Sequence, residues 1–281
     1  MRVRAAVLER NPIVGRKVAR VLVAAGLEAS VVEDPASIGE ADVVCADVFD
    51  GEAVAGRRGI LWTAEPIKRA LRFVDGNVCD VLGRKDFETA PRGWELLACA
   101  KRLLGEPLPA SAFVDWGGRA VVLTVGSTAD RDPAVEQIQD FVLSLAVPRR
   151  IAEMYGEVAH ELIMNALYVG NSDRKAHVVL DEPVTARIAT DGTRLALTVS
   201  DPFGKLGRHH VVDGLARGLT GEMDTRAGGA GLGLRVVHDA ASIVWFSVEP
   251  DRATEVTAVL ELDLNLRELR AQPRSLHVWA P

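Results

Sequence analysis

Three groups of residues have the types and spacing to do chemistry. The first lies on one helix. At about 100° per residue, a helix from Arg150 to Val169 gathers Ile151, Met154, Val158, Leu162 and Val169 into one apolar arc. Asn165 falls inside that arc, and Glu161 lies at its edge one turn earlier. Burying an unpaired amide costs a few kcal/mol and an unpaired carboxylate more, so both groups need a partner: a ligand, an ion, water or a neighbouring loop. The second group is Asp201-Pro-Phe-Gly204-Lys-Leu206, where a carboxylate ends an alternating strand and Gly204 lets the chain turn tightly, as ordinary turns also do. The third is Gly228-Gly-Ala-Gly231-Leu-Gly233-Leu234, a glycine-rich loop feeding an apolar helix. Its bared backbone N–H groups and helix dipole favour an anion such as a phosphate. A dinucleotide-binding fold needs a strand just before such glycines. Gly207 to Ala227 is instead polar and glycine-rich, which excludes that fold and reads as an irregular lid between Gly204 and Gly228.

These groups require elements to position them. From Val3 to about Leu104 short β-rich runs alternate with helical stretches, the pattern of a doubly wound parallel sheet. Strands are expected at Val3 to Leu8, Glu28 to Val32, Asp42 to Ala46, Gly59 to Trp62 and Val78 to Leu82. Helices are expected from Asn11, a good N-cap followed by Pro12, to Gly26, and from Gly93 to Leu104. The Gly- and Pro-containing residues 105–112 read as a linker between a domain at 1–104 and a second at 113–265, leaving 266–281 as a C-terminal tail. The second domain opens with a strand at Arg119 to Val125 and a helix at Pro133 to Leu145. After the Arg150 helix come two hairpins, Val184 to Ser200 across Asp191-Gly192 and Ser242 to Leu262 across Glu249-Pro250-Asp251-Arg252. Helices and antiparallel hairpins together make an α/β sandwich.

In order, the three groups resemble the GHKL ATP-binding superfamily, the fold of histidine-kinase catalytic domains and anti-sigma-factor kinases. Glu161-Leu-Ile-Met-Asn165-Ala resembles its N box, Asp201-Pro-Phe-Gly204 its first glycine box, and Gly229-Ala-Gly231-Leu-Gly233-Leu its second. The resemblance spans about Ala112 to Leu264. It implies ATP and Mg²⁺ as ligands: Asn165 on Mg²⁺, Asp201 on the adenine amino group, Gly229, Gly231 and Gly233 around the phosphates, and Glu161 as general base. One departure stands out, since Phe203 and Lys205 occupy the glycine positions of the family's Asp-x-Gly-x-Gly, with Gly204 between them. The strand-helix-helix opening and short lid are closer to anti-sigma-factor kinases than to histidine kinases. No phosphoacceptor helical hairpin precedes the domain, and His160, inside the N-box helix, reads as structural or surface.

The first domain resembles a response-regulator receiver. Asp47, ending the third strand, matches the phosphoacceptor, Thr63 the switch hydroxyl, and Glu9-Arg10 the acidic pair, while the receiver lysine falls at Arg84 or Lys85. Phosphoryl transfer there needs Mg²⁺ held by several carboxylates, and Arg10 puts a positive charge in place of one, so Asp47 reads equally as a strand-end turn residue of a degenerate docking module. The resemblances together imply a signalling protein, either a kinase of a partner's serine or threonine or a nucleotide-gated adaptor. A third possibility is a pair of interaction surfaces with no working site. The implied partner is a protein, an anti-anti-sigma-like or sigma-like regulator, and a homodimer is among the assemblies allowed.

Composition sets the outer limits. With 281 residues, 48% apolar and 26% charged, the chain can bury a substantial core and is not disordered. A net charge of -6 without a basic cluster disfavours nucleic acid, and no apolar run is long enough for a signal or a membrane span, which makes the cytoplasm the expected location. Cys45, Cys79 and Cys99 are widely spaced in apolar stretches and read as buried thiols without zinc-site spacing. The His209-His210 pair, being adjacent, is expected to point to opposite sides of any regular element.

Overall fold

The computed structural model describes residues 3–108, 112, 114, 118–169, 177–220, 230–263 and 266–281. The chain divides into two compact units, Met1–Ala110 with Ala271–His277, and Ser111–Arg270 with Val278–Pro281. Both combine helices and strands, the α/β class expected from the sequence. No helix among the described residues is long and apolar enough to cross a membrane.

In the first unit β1 (Arg4–Leu8), β2 (Glu28–Val32), β3 (Val43–Asp47), β4 (Arg58–Thr63) and β5 (Val78–Gly83) form a parallel array in the order β2-β1-β3-β4-β5. β3 and β5 are buried along their whole length, as strands covered on both faces must be, which is why they read as continuous apolar runs. Helix α1 (Pro12–Ala25) starts where the Asn11 side chain accepts hydrogen bonds from the Ile13 and Val14 N–H groups at 3.0 and 3.4 Å. It stops at Gly26, whose φ of +109° only glycine adopts at low cost. Val14, Val18 and Leu22 form its buried stripe, and α2 (Gly93–Leu103) packs beside it. The connections after β2, β3 and β4 carry only short 3₁₀ turns. Because the array reverses direction of growth between β1 and β3, the residues just past these strands share one crevice at the carboxyl ends.

The segment read as a tail carries two elements, α7 (Leu266–Ala271) and β11 (Ser275–Trp279). Within the first unit, Leu276 and His277 pair antiparallel with Val81 and Asp80 of β5, and Ser275 Oγ accepts the Gly83 N–H at 2.8 Å.

The second unit runs β6 (Arg119–Ser127), α3 (Arg131–Leu143), α4 (Arg149–Leu167), β7 (Val179–Thr190), β8 (Arg194–Asp201), α5 (Arg208–Thr220), α6 (Ala230–Ala240), β9 (Ile243–Glu249) and β10 (Ala253–Glu261). Its strands are antiparallel in the order β9-β10-β8-β7-β6. Both expected hairpins form. Asp191 fixes the first turn, its Oδ1 accepting from the Thr193 and Arg194 N–H groups at 2.9 and 2.7 Å. Helices α3, α4 and α6 pack against the sheet. Tyr155 is fully buried under β8 and β10 and donates to the Leu195 and Ala258 carbonyls at 3.3 and 3.4 Å, which fixes the rotation of α4.

One expectation is corrected here. The stretch from Gly204 to Gly228 is not irregular throughout, because residues 208–220 form α5. Val211 and Leu215, one turn apart, are buried, and Gly214 and Gly218 are buried beside them, so the glycines that suggested a loop form part of the helix's buried face. Arg235 of α6 holds the end of α5, donating to the Gly218 carbonyl at 2.8 Å.

Candidate functional site

The carboxyl end of β8 builds one wall of a cavity. Asp201 Oδ1 accepts the Phe203 and Gly204 N–H groups at 2.9 and 3.3 Å, closing a turn that pins the carboxylate. Gly204 has φ +61°, and a Cβ there would stand 2.1 Å from the Glu249 carbonyl oxygen. The Asp251 N–H donates to the Gly204 carbonyl at 3.3 Å. The freedom of Gly204 is therefore used against the protein's own β9–β10 turn, where the Asp201 loop packs backbone against backbone. Asp201 is buried, and burial pushes its carboxyl above the usual range while the two backbone donors pull it back. Its register partner on β10 is Thr254, whose hydroxyl is buried and, with the Thr254 N–H, helps to hold the carboxyl down against the effect of burial.

Helix α4 builds the facing wall. Its apolar stripe turns Leu162 and Ala166 inward and brings half-buried Asn165 with them. Between the walls lies a cavity of about 440 Å³ bounded by Leu162, Asn165, Asp201, Leu234, Phe246 and Thr254, with Val199 and Val256 beneath and Lys205 and His210 at its border. An apolar slot with a few fixed polar groups is the usual form of a small-molecule site. Lys205 pairs with Asp251 at the surface. Burial holds the His210 imidazole below its ordinary pKa, with His209 adding to the shift. The two rings do not diverge as expected: their centroids are 3.8 Å apart at the start of α5, where the first turn lets neighbouring side chains meet.

Glu161 sits one turn before Asn165, half-buried, but does not line the cavity. It packs on α6, where a Cβ on Gly233 would come within 2.1 Å of Glu161 Oε2. Gly231 and Gly233 lie in the first turn of α6, whose N–H groups have no intrahelical acceptor, while Gly229 is outside the described residues. His160 is half-buried on α4.

The residues present suit an adenine nucleotide. A fixed carboxylate can accept from an exocyclic amino group, the apolar walls can cover a flat ring, a buried hydroxyl stands beside the carboxylate, and an amide oxygen on α4 can ligate a hard cation.

A second crevice, of about 580 Å³, lies at the carboxyl ends of β1 and β3 in the first unit and includes Glu9, Asn11, Asp47, Phe49, Arg84 and Phe87. Arg84, not Lys85, points inward, which resolves the register left open by the sequence. Its Nη2 donates to Asp47 Oδ2 at 2.8 Å and its Nη1 to Glu9 Oε2 at 3.1 Å. The other oxygen of Asp47 accepts the Phe49 N–H at 2.9 Å. Burial raises the Asp47 pKa, and the Phe49 N–H and the guanidinium partly offset this. Arg10 turns outward to Asp50 at 2.9 Å, and Thr63 is buried at the end of β4, its hydroxyl accepting the Glu65 N–H at 2.9 Å. A cation thus bridges the two carboxylates at this end of the sheet.

The three cysteines are buried free thiols, as expected, with Cys45 pushed up to about 12 by burial. No family model matches the chain, and no curated protein matches it. Solved structures similar to it include the SiaB–SiaC complex from Pseudomonas aeruginosa, at 16% identity and a TM-score of 0.40 over 50% of this chain and 88% of that one. Another is HP1043, an orphan response regulator of H. pylori, at 14% identity and a TM-score of 0.26 over 38% of this chain and 98% of that one. At these scores the similarities carry no functional weight.

Proposed function

We propose that the second unit is a GHKL-type domain that binds ATP with Mg²⁺, and that the protein is a signalling regulator acting on a protein partner. One observation carries the reading: Asn165 from α4 and Asp201 from the end of β8, picked out separately by the sequence, line a single apolar cavity. In this reading Asp201 accepts the adenine amino group, Leu162, Leu234 and Phe246 cover the ring, and the Thr254 hydroxyl beside the carboxylate accepts from a bridging water. Asn165 would hold Mg²⁺, which would supply charge neutralisation at the phosphates, and the N–H groups of Gly231 and Gly233 in the first turn of α6, with that of Gly229, would donate to phosphate oxygens. Lys205 and His210 border the site from the segment that serves as its cover.

Transfer to a partner's serine or threonine would use Glu161 as base, taking the hydroxyl proton as the oxygen attacks the γ-phosphorus and the bond to the leaving ADP breaks. A second reading is favoured by a specific observation: Glu161 rests against Gly233, away from the cavity lining. In that case ATP alters affinity for the partner without chemistry. The Arg84 bridge supports a first unit that docks and does not accept phosphate on Asp47.

The experiment is to titrate ATP with Mg²⁺ and analyse the nucleotide products for wild type and Glu161→Gln. Turnover lost in the variant with binding retained supports the kinase. Binding without turnover in wild type supports the adaptor, and no binding refutes both.

A further inference from the structure

Away from both crevices, the first unit buries a mixed cluster that neither uses. Asp80 on β5, Glu95 and Cys99 on α2, and His277 on β11 are all fully buried. His277 Nδ1 is 2.8 Å from Asp80 Oδ1 and 3.6 Å from Cys99 Sγ, and its Nε2 is 2.9 Å from Glu95 Oε1. Arg92 Nη1 is 3.3 Å from the other Glu95 oxygen. The ligand atoms of Asp80, Cys99 and His277 all lie within 4.8 Å of one another.

We propose that Asp80, Cys99 and His277 form a closed zinc site that anchors the C-terminal strand in the first unit. The donor set is the first argument. One imidazole nitrogen, one sulfur and one carboxylate are zinc ligands, while a sulfur donor is wrong for Mg²⁺ or Ca²⁺. These three residues supply three of the four donors, and the second oxygen of the Asp80 carboxylate is the nearest group on the same side chains to complete a distorted four-coordinate set.

Spacing is the second. Tetrahedral zinc with bonds of about 2.3 Å to sulfur and about 2.05 Å to nitrogen separates those two atoms by roughly 3.6 Å. That is the separation found between Cys99 Sγ and His277 Nδ1. The nitrogen-to-oxygen separation in such a site is roughly 3.4 Å, so Asp80 would recede by about half an ångström.

The third argument is the outer arrangement. A metal-bound histidine usually donates its other ring N–H to a carboxylate, and Glu95, itself held by Arg92, stands there. Charge is consistent as well. With the imidazole protonated, His277 and Arg92 balance Asp80 and Glu95. A divalent ion that displaces the imidazole and thiol protons leaves that balance unchanged.

The test uses the full chain, refolded with zinc, freed of excess metal, and measured for metal content. One zinc per chain is expected, with the ion lost in Cys99→Ala and His277→Gln while far-UV circular dichroism stays native. Loading wild type with Co²⁺ should give a thiolate-to-cobalt charge-transfer band, and this decides the matter even if a variant does not fold. Wild type that retains no metal, a Co²⁺ form lacking the band, or a folded Cys99→Ala that keeps a full equivalent overturns the site and leaves a proton-bridged network in its place.

Discussion

Replacing Arg84 by Met tests the reading of the first unit, because the substitution keeps most of the side-chain volume while removing the charge and its hydrogen bonds to Glu9, Asp47 and the Phe87 carbonyl. The Arg84 side chain is 3% exposed, and its partners Glu9 and Asp47 are 8% and 11% exposed at their side chains. Removing one partner of a buried ion pair leaves uncompensated charge and costs about 3–5 kcal/mol. For a unit of this size, at roughly 4 °C per kcal/mol, its unfolding transition should fall on the order of 10–20 °C. The sign with pH follows from the same groups. Without the guanidinium, the Asp47 carboxyl, already raised by burial, has a folded-state pKa further above its unfolded one. The penalty is then complete above the folded pKa and is relieved as pH falls through it. Calorimetric unfolding of wild type and Arg84→Met between about pH 5 and 8 should show a deficit that narrows on acidification. Adding Glu9→Gln and Asp47→Asn should restore much of the loss. A variant within about 0.5 kcal/mol of wild type throughout, the range of ordinary surface substitutions, would refute the bridge.

Two other outcomes follow from the second unit. Gly233→Ala should gain about 1 kcal/mol of helix propensity, less the cost of turning aside the flexible end of Glu161, whose Oε2 would sit 2.1 Å from the new Cβ. It should therefore stabilise a Glu161→Ala background more than wild type in a thermal double-mutant cycle, and equal effects in both backgrounds would remove that contact. Asp201 has its pKa raised by burial, so acidification through that value should stabilise the unliganded unit while weakening ATP, which needs the ionised carboxylate as acceptor. Affinity and unfolding followed side by side should move in opposite directions, and affinity independent of pH would count against Asp201 as the adenine contact.

The architecture was legible where local signals agreed. Asn11 and Gly26 bounded α1 because a side-chain cap and a left-handed residue are encoded in the residues themselves. Asp191-Gly192 marked its hairpin for the same kind of reason. Asn165 and Asp201 could be picked out because each breaks the polarity of its own element, although only the fold shows that they share a cavity. What stayed hidden depended on distant partners. α5 was masked by Gly214 and Gly218, which look like loop residues until its buried contacts are known. β11 is five residues long and finds its place on β5, nearly two hundred residues earlier. The Asp80–Cys99–His277 cluster follows from that pairing and from α2, so no local spacing could reveal it. Arg84 and Lys85 differ by one position, and the packing at the end of β5 decided which turned inward.

Calorimetric titration of ATP into the full chain with Mg²⁺, repeated with Asn165→Ala, weighs the nucleotide reading as a whole. Wild type should bind one ATP per chain, and the variant should bind at least about tenfold more weakly, a loss of roughly 1.4 kcal/mol, with the difference shrinking when Mg²⁺ is removed. Wild type that takes up no ATP at millimolar concentration, or a variant that binds equally well with and without the metal, would contradict the account.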